Sequence, residues 1–501
     1  GAIKVLVASK DTAWSLPVTS FMVIIMGVQT FDGQEHRYVD YAIADVLQMM
    51  GRACRPMVDS SSRCVLMCQQ TRKDFFKKFL NEALPVESSL PNYLHDHFNA
   101  EIVAKTIENK QDAVDWCTWT WFYRRLMQNP GFYNLQGTTP THVADYLSEL
   151  VESTINDLVT SDCIIVQDDM DTLPNNLGMI ASFYYISYVT VETFSASIKE
   201  TTKLKGLLEI VSSAHEFETV PIRHHEDTLL ERIYDRVPVK VAKADYNSPY
   251  FKTFLLLQAH FSRMTLPPDL AIDQAAILGK VTGLLSACVD VMSSKSFLGC
   301  LGAMDLSQMC VQAIWDRDSP LKQVPYFDAD VLARFAKKGL DSVYDIMELE
   351  DDERNELLQM NDRQLARVAK FVNSYPNIEV TYAIEDADSL TSSDSITLNV
   401  TLDREADEEN PDDQVADAPH FPHRKMVSWW IVVGDAKTKQ LHAIKKVTVK
   451  AKLETKLDFS LPQGEWDLKL YLICDSYAGA DQDFDLEKIK VAEGEDSDDD
   501  D

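Results

Sequence analysis

Long apolar runs are missing from this chain of 501 residues. The longest, Phe21 to Val28, falls well short of the ~20 residues that cross a bilayer, so no membrane partner is expected. No basic segment leading into an apolar core opens the sequence, so no secretory signal is expected. No G-x-x-x-x-G-K-[ST] occurs, which leaves no glycine-rich cradle for nucleotide phosphates. No D-E-x-[HD] run occurs to hold Mg²⁺; Asp351-Asp352-Glu353-Arg354 comes nearest. Positive charge is scarce: 48 Lys and Arg stand against 79 Asp and Glu, a net charge of −31. Proteins that neutralise phosphates usually show a basic face, so RNA binding over the whole surface is disfavoured and only a local channel is left open. Cysteine is unpatterned. There are nine, and Cys64 and Cys68 have no second pair nearby to complete a zinc site. Reduced core thiols of an intracellular protein are the expected reading.

The chain is too long for one core, and roughly three to five domains are expected. Acid concentrates in two stretches, eight residues between Asp403 and Asp417 and seven between Glu493 and Asp501. The rest of the chain remains acidic without them. The chain enters an apolar run at once, as if cut from something longer. Lys4 to Ala8 and Phe21 to Met26 read as two buried strands of a parallel sheet. A helix at Ile43 to Met50, a strand at Arg63 to Cys68 and a helix at Thr71 to Leu80 continue an α/β alternation too short for a full domain. Helices from Asn99, closed by a short strand at Cys163 to Val166, suggest a winged helix. Helices continue from Leu177 to about Ala313, and Phe327 to Tyr375 reads as a helix-loop-helix unit. Ser395 to Leu402 then alternates strictly, and further strands at Trp429 to Val433, Ala443 to Val449, Lys456 to Leu461 and Asp467 to Ile473 argue a β-sandwich. The predicted fold class is therefore multidomain α and β. Its parts span 1–82, 83–176, 177–325, 326–375 and 376–493, with a disordered acidic tail at 494–501.

Several residues carry candidate chemistry. Gln48, Gly51, Arg52 and Arg55 form Q-x-x-G-R-x-x-R at the end of a helix. Two fixed guanidiniums there could offset charge developing in phosphoryl transfer; solvated arginines at a helix end are the plain alternative. Arg124, Arg125 and Lys280 are candidate RNA contacts, though the two arginines fit surface ion pairs better. The helix Leu270 to Ser293 offers little to stack on bases, with Lys280 between Gly279 and Gly283. His224-His225-Glu226-Asp227 lies on consecutive positions that cannot converge on one ion, so a polar network is expected and no metal. Lys445, Lys446, Lys450 and Lys452 make a small basic stretch that strand alternation splits between two faces. Trp429 and Trp430 are adjacent in a strand, so one should point outward as an interface anchor. Ser497 sits before Asp498 to Asp501, an acidic context that resembles acidophilic kinase sites.

Val5-Leu6-Val7-Ala8-Ser9 with Ala13-Trp14-Ser15-Leu16-Pro17 is similar to the helicase motif preceding Q-x-x-G-R-x-x-R. Ser15 stands where that family has glycine and Pro17 where it has asparagine, so the loop coupling ATP to the bound strand reads as degenerate. Asp96-His97-Phe98-Asn99, Tyr123-Arg124-Arg125-Leu126, Asn176-Leu177-Gly178-Met179, Pro221-Ile222-Arg223-His224 and Leu255-Leu256-Leu257-Gln258 extend the likeness over nearly the whole chain. They resemble superfamily-two RNA helicases of the Ski-two-like class, in the spliceosomal branch that unwinds paired small nuclear RNAs. The resemblance implies the second of two tandem cassettes. It would run from the end of the second RecA-like domain through a winged helix, a helical ratchet bundle, a helix-loop-helix and a fibronectin/immunoglobulin-like sandwich. It implies a nuclear protein-docking platform with spliceosomal proteins as partners. Small nuclear RNA, ATP and Mg²⁺ would be handled by the parent protein and no cofactor by this chain. A piece of an active tandem-cassette helicase from a transcription-coactivator or DNA-repair complex is the rival reading.

Overall fold

The computed structural model describes residues 3–32, 37–81, 86–386, 390–392, 395–404 and 414–493. Ser497 and most of both acidic stretches lie outside them. The chain divides into two units, one of residues 1–88 with 221–229 and one of the remainder.

The first unit is built on a parallel strand pair, Met22–Met26 with Arg63–Met67. Ile25 and Val28 turn inward, onto Val46 of the helix Ile43–Gly51 and Phe76 of the helix Lys73–Asn81. The opposite face carries Met22, Ile24, Met26, Val65 and Met67, all exposed. A parallel sheet normally has both faces covered, and this one bares an apolar face among the described residues. Lys4 to Ala8 is not the expected strand. It pairs with no strand among the described residues, and Val5 and Val7 are exposed. An unexpected hairpin, Gln29–Asp32 with Arg37–Asp40, follows instead.

The second unit opens with the helices Leu94–Val103, Lys110–Thr118, Trp121–Gln128 and Pro140–Thr160, then the hairpin Ile164–Gln167 with Asp171–Pro174. Local chemistry sets the boundaries. Asn109 Oδ1 accepts from the Asp112 amide at 2.9 Å, and Thr139 caps the long helix ahead of Pro140. Gly178, on the helix Asn176–Tyr184, is where hairpin and helix meet. A Cβ there would lie 2.2 Å from the Cys163 carbonyl oxygen and 2.5 Å from Asn99 Oδ1.

The central helices are buried on nearly every side. In Pro249–Phe261 every residue from Phe251 onward is buried, which explains the lack of amphipathic spacing there. Even Lys252 is enclosed, 2.7 Å from Asp273 of the helix Pro268–Ser294. That helix has 27 residues and a window of mean hydropathy 1.6, long and apolar enough by length and composition to cross a membrane. Most of that window is buried inside the protein, which accounts for its apolar sequence without a bilayer. The four helices between Ala329 and Ser374 follow, two of them started by capping boxes at Ser342/Asp345 and Asn361/Gln364.

Two antiparallel sheets complete the unit. The first has the order Lys452–Phe459, Ile396–Arg404, Ile378–Ile384; the second Gln440–Val447, Trp429–Asp435, Lys469–Cys474, Gln482–Asp485. They share one apolar core that includes Leu398, Val400, Ile431, Val433 and Leu470. The strand Trp429–Asp435 does not alternate, because all seven of its residues are buried. The face turned from the sandwich core lies against the helices. A Cβ at Gly434 would sit 2.5 Å from Leu298 Cδ1, and the Leu298 amide donates to the Lys439 carbonyl at 3.0 Å. Trp429 and Trp430 are therefore each only 1% exposed, and neither points to solvent.

Gly178→Ala is expected to destabilise the protein by about 3 kcal/mol, since the clash is with a backbone carbonyl that cannot move aside. Urea unfolding followed by circular dichroism checks this; an unchanged midpoint would refute the close approach.

Candidate functional site

The helix Ile43–Gly51 ends with the guanidinium of Arg52 folded back onto the preceding loop. Its Nε and Nη2 both donate to the Ala13 carbonyl, at 3.0 and 2.7 Å. The Ser20 amide donates to the Arg52 carbonyl at 2.9 Å, and the Trp14 indole N–H donates to Asp45 at 2.8 Å. Lys10 stands 3.7 Å from the same Asp45 carboxylate. The loop around Ala13 and the helix Ile43–Gly51 are thus tied together by hydrogen bonds at both ends. Arg55 donates through Nε to Asp59 at 2.6 Å. Gln48 is half-buried, Gly51 is exposed, and a Cβ at Gly51 would meet nothing within 4 Å. Each guanidinium donates to an acceptor within the protein.

The remaining sequence candidates are not brought together into one site. Arg124 is exposed. Arg125 is buried, and its Nη1 donates to Gln128 at 2.6 Å. Burial removes Arg125 from reach of a strand in solvent, so the RNA reading of this residue is corrected to a structural one. Lys280 is exposed, and its ammonium donates to the Glu216 carbonyl at 3.0 Å. Gly279, beside it, makes room for His423, whose Nε2 would lie 2.8 Å from a Cβ at that position. Glu226 is buried against Arg223 at 3.1 Å, whereas His224 and His225 are exposed. Lys446 lies over the Trp430 ring at 4.5 Å and donates to Ser286 at 2.9 Å, so burial lowers its basicity. Lys445 and Lys446 are both exposed, Lys445 reaching the Lys456 carbonyl at 3.3 Å and Lys446 reaching Ser286.

Sequence reading missed the polar contact between the helix Cys300–Gln312 and the strand end at Cys474. Ser307 Oγ donates to the Asp475 carbonyl at 3.0 Å, and Gln308 Nε2 to the Cys474 carbonyl at 2.8 Å. Gln312 Nε2 donates to the Ser476 carbonyl, also at 2.8 Å. Asp481 accepts from Gln308 and from the Cys474 amide, yet burial pushes its carboxyl up to about 7. Three polar residues along an apolar helix were the available signal, since burial of such groups demands partners. The exposed aromatics of this unit are Trp119, Phe183, Tyr185 and Tyr326 among others, and not the tryptophan pair.

Residues 174–487 match the family described as the Sec63 Brl domain, and residues 87–168 match the Winged Helix-turn-helix domain family. The chain is 52% identical over 497 residues, 99% of its length, to the U5 small nuclear ribonucleoprotein 200 kDa helicase of Homo sapiens. It is 51% identical over 97% of its length to the protein of that name in Drosophila melanogaster. It is 49% identical, again over 97%, to the pre-mRNA-splicing factor brr2 of Schizosaccharomyces pombe. It spans only 23, 23 and 22% of those three proteins.

Arg52→Ala removes two charged hydrogen bonds and is expected to loosen the loop around Ala13 by about 2 kcal/mol. Amide hydrogen exchange should show residues 10–17 losing protection while the second unit keeps its own. Unchanged exchange in that loop would mean that the Arg52 contacts do not hold it.

Proposed function

The chain belongs to the Sec63 Brl domain family, and from that premise we propose that it is the catalytically inactive C-terminal cassette region of a spliceosomal RNA helicase. In this reading it acts in the nucleus as a protein-docking scaffold. Small nuclear RNA is unwound elsewhere in the parent protein, which also supplies ATP and Mg²⁺ binding. Identity of about one half to U5 helicases over nearly the whole chain supports the parentage. The observation that carries the inactive reading is that Arg52 and Arg55 are held by Ala13 and Asp59 in a chain with no phosphate loop of its own.

The first unit then reads as the end of a RecA-like domain. Its bare face of Met22, Ile24, Met26, Val65 and Met67 suits a sheet that continues in the longer protein. The helices Pro249–Phe261 and Pro268–Ser294 read as parts of the ratchet bundle, and the paired sheets as a fibronectin/immunoglobulin-like sandwich. The net charge of −31 favours protein over RNA as the ligand of this region.

Two measurements test the reading. Calorimetric titration with ATP and Mg²⁺ is expected to give no saturable micromolar heat; a saturable site would sink the inactive assignment. Partners recovered from nuclear extract on the immobilised protein are expected to persist after nuclease treatment. If recovery collapses with nuclease, the scaffold is an RNA-binding one.

A further inference from the structure

A cleft of about 370 Å³ opens where the bundle, the helix-loop-helix and the sandwich approach one another. Arg263, Tyr326, Phe327, Gln364 and His420 line it. Its floor is apolar, since Val324 and Phe327 are buried. Its lining carries one guanidinium, Arg263, and one carboxylate, Asp328, in a chain of net charge −31. Arg263 donates through Nε to the Ala313 carbonyl at 2.9 Å and through Nη2 to the Gln312 carbonyl at 3.1 Å. These bonds fix the guanidinium plane and leave Nη1 without an acceptor among the described residues. His420, exposed on the same cleft, makes no hydrogen bond among the described residues, and the charge of Arg263 helps to lower its basicity after desolvation does so.

The carboxylates nearby are already engaged. Asp328 caps the helix Ala329–Lys337 through Oδ1, and Asp318 pairs with Lys322 at 2.7 Å. Two lining residues also hold a backbone conformation that L side chains rarely adopt, Arg263 at φ +50° and Tyr326 at φ +65°. Tyr326 projects a half-exposed ring at the rim. An aromatic ring and a guanidinium beside an apolar floor are the usual components of an interface hot spot, and a fixed guanidinium with a spare N–H favours an oxyanion.

We infer that this cleft receives an acidic side chain of a partner protein, flanked by an apolar one, with Arg263 and His420 contacting the oxyanion and Tyr326 covering the apolar neighbour. A folded RNA is the poorer fit, because neutralising its phosphates needs several cations and Arg263 is the one Lys or Arg among the described residues that line the cleft. The inference rests on the scaffold reading and specifies one docking point within it.

The test uses fluorescein-labelled (Glu-Leu)4 peptide and fluorescence anisotropy in physiological salt, where the Debye length of about 8 Å limits the effect of distant charge. The whole chain is titrated, with a (phosphoserine-Leu)4 peptide, a (Lys-Leu)4 peptide and a dodecauridine RNA as parallel probes. Saturable binding of (Glu-Leu)4 is expected, weakened about tenfold by Tyr326→Gly and severalfold by His420→Asn. Tyr326→Gly relieves a left-handed residue, so its melting temperature should hold or rise while binding falls. Tighter binding of the phosphopeptide, lost in the same variants, assigns the oxyanion to a phosphorylated side chain and supports the cleft. Four outcomes overturn the inference: no saturable binding of either anionic peptide, equal affinity in both variants, (Lys-Leu)4 binding as well as (Glu-Leu)4, or variant-sensitive binding confined to the RNA. Each leaves the nuclease-resistant recovery of partners to stand or fall separately.

Discussion

The strand Trp429–Asp435 is buried on both faces, and the second unit is organised around that fact. One face belongs to the sandwich core and the other to the helices, so neither assembly is complete alone. Two indoles at 1% exposure place large apolar areas at this junction, where loss of either neighbour would return them to water. The helix residues Ser307, Gln308 and Gln312 answer the backbone carbonyls at Cys474, Asp475 and Ser476. A buried carbonyl left without a donor is costly, so the polar contacts fix the register in which the apolar surfaces meet.

That arrangement limits which surfaces are free to recognise partners. A sandwich with one sheet open to solvent would offer a broad flat face; here the four-stranded sheet is covered by the molecule's own helices. What stays outward is the rim, the outer residues of the three-stranded sheet and the junction lined by Arg263 and Tyr326. Local electrostatics follow the same division. Lys446 leans over Trp430 toward Ser286, so it points away from Lys445 although both are exposed.

Element type was readable wherever periodicity was strong. Residues 396–403 alternate apolar and polar, and burial in the strand Ile396–Arg404 follows that pattern. The helices Ile43–Gly51 and Pro268–Ser294 lie within a few residues of their predicted spans. Failures came where neighbours, not local pattern, decide. Lys4 to Ala8 has the composition of a buried strand and finds no strand partner among the described residues. Gln482–Asp485 has one apolar residue in four, yet it pairs because Lys469–Cys474 presents an edge beside it. The tryptophan pair was misread because a period of two assumes that one face is wet. For the candidate site, the motif residues were legible. The Ala13 carbonyl and Asp59 that occupy the two arginines were not, because a backbone acceptor and an unremarkable surface acid carry no sequence signal.

The contacts between Gln308 and Cys474 join positions 166 residues apart. A ribosome adding about 5–20 residues per second needs roughly ten to thirty seconds to cover that distance. During that interval the helices have emerged, but the sheet they cover has not been made. The nascent bundle therefore waits with its sheet-facing surface bare, and its residence on a chaperone would be set by the length of the polypeptide still to come.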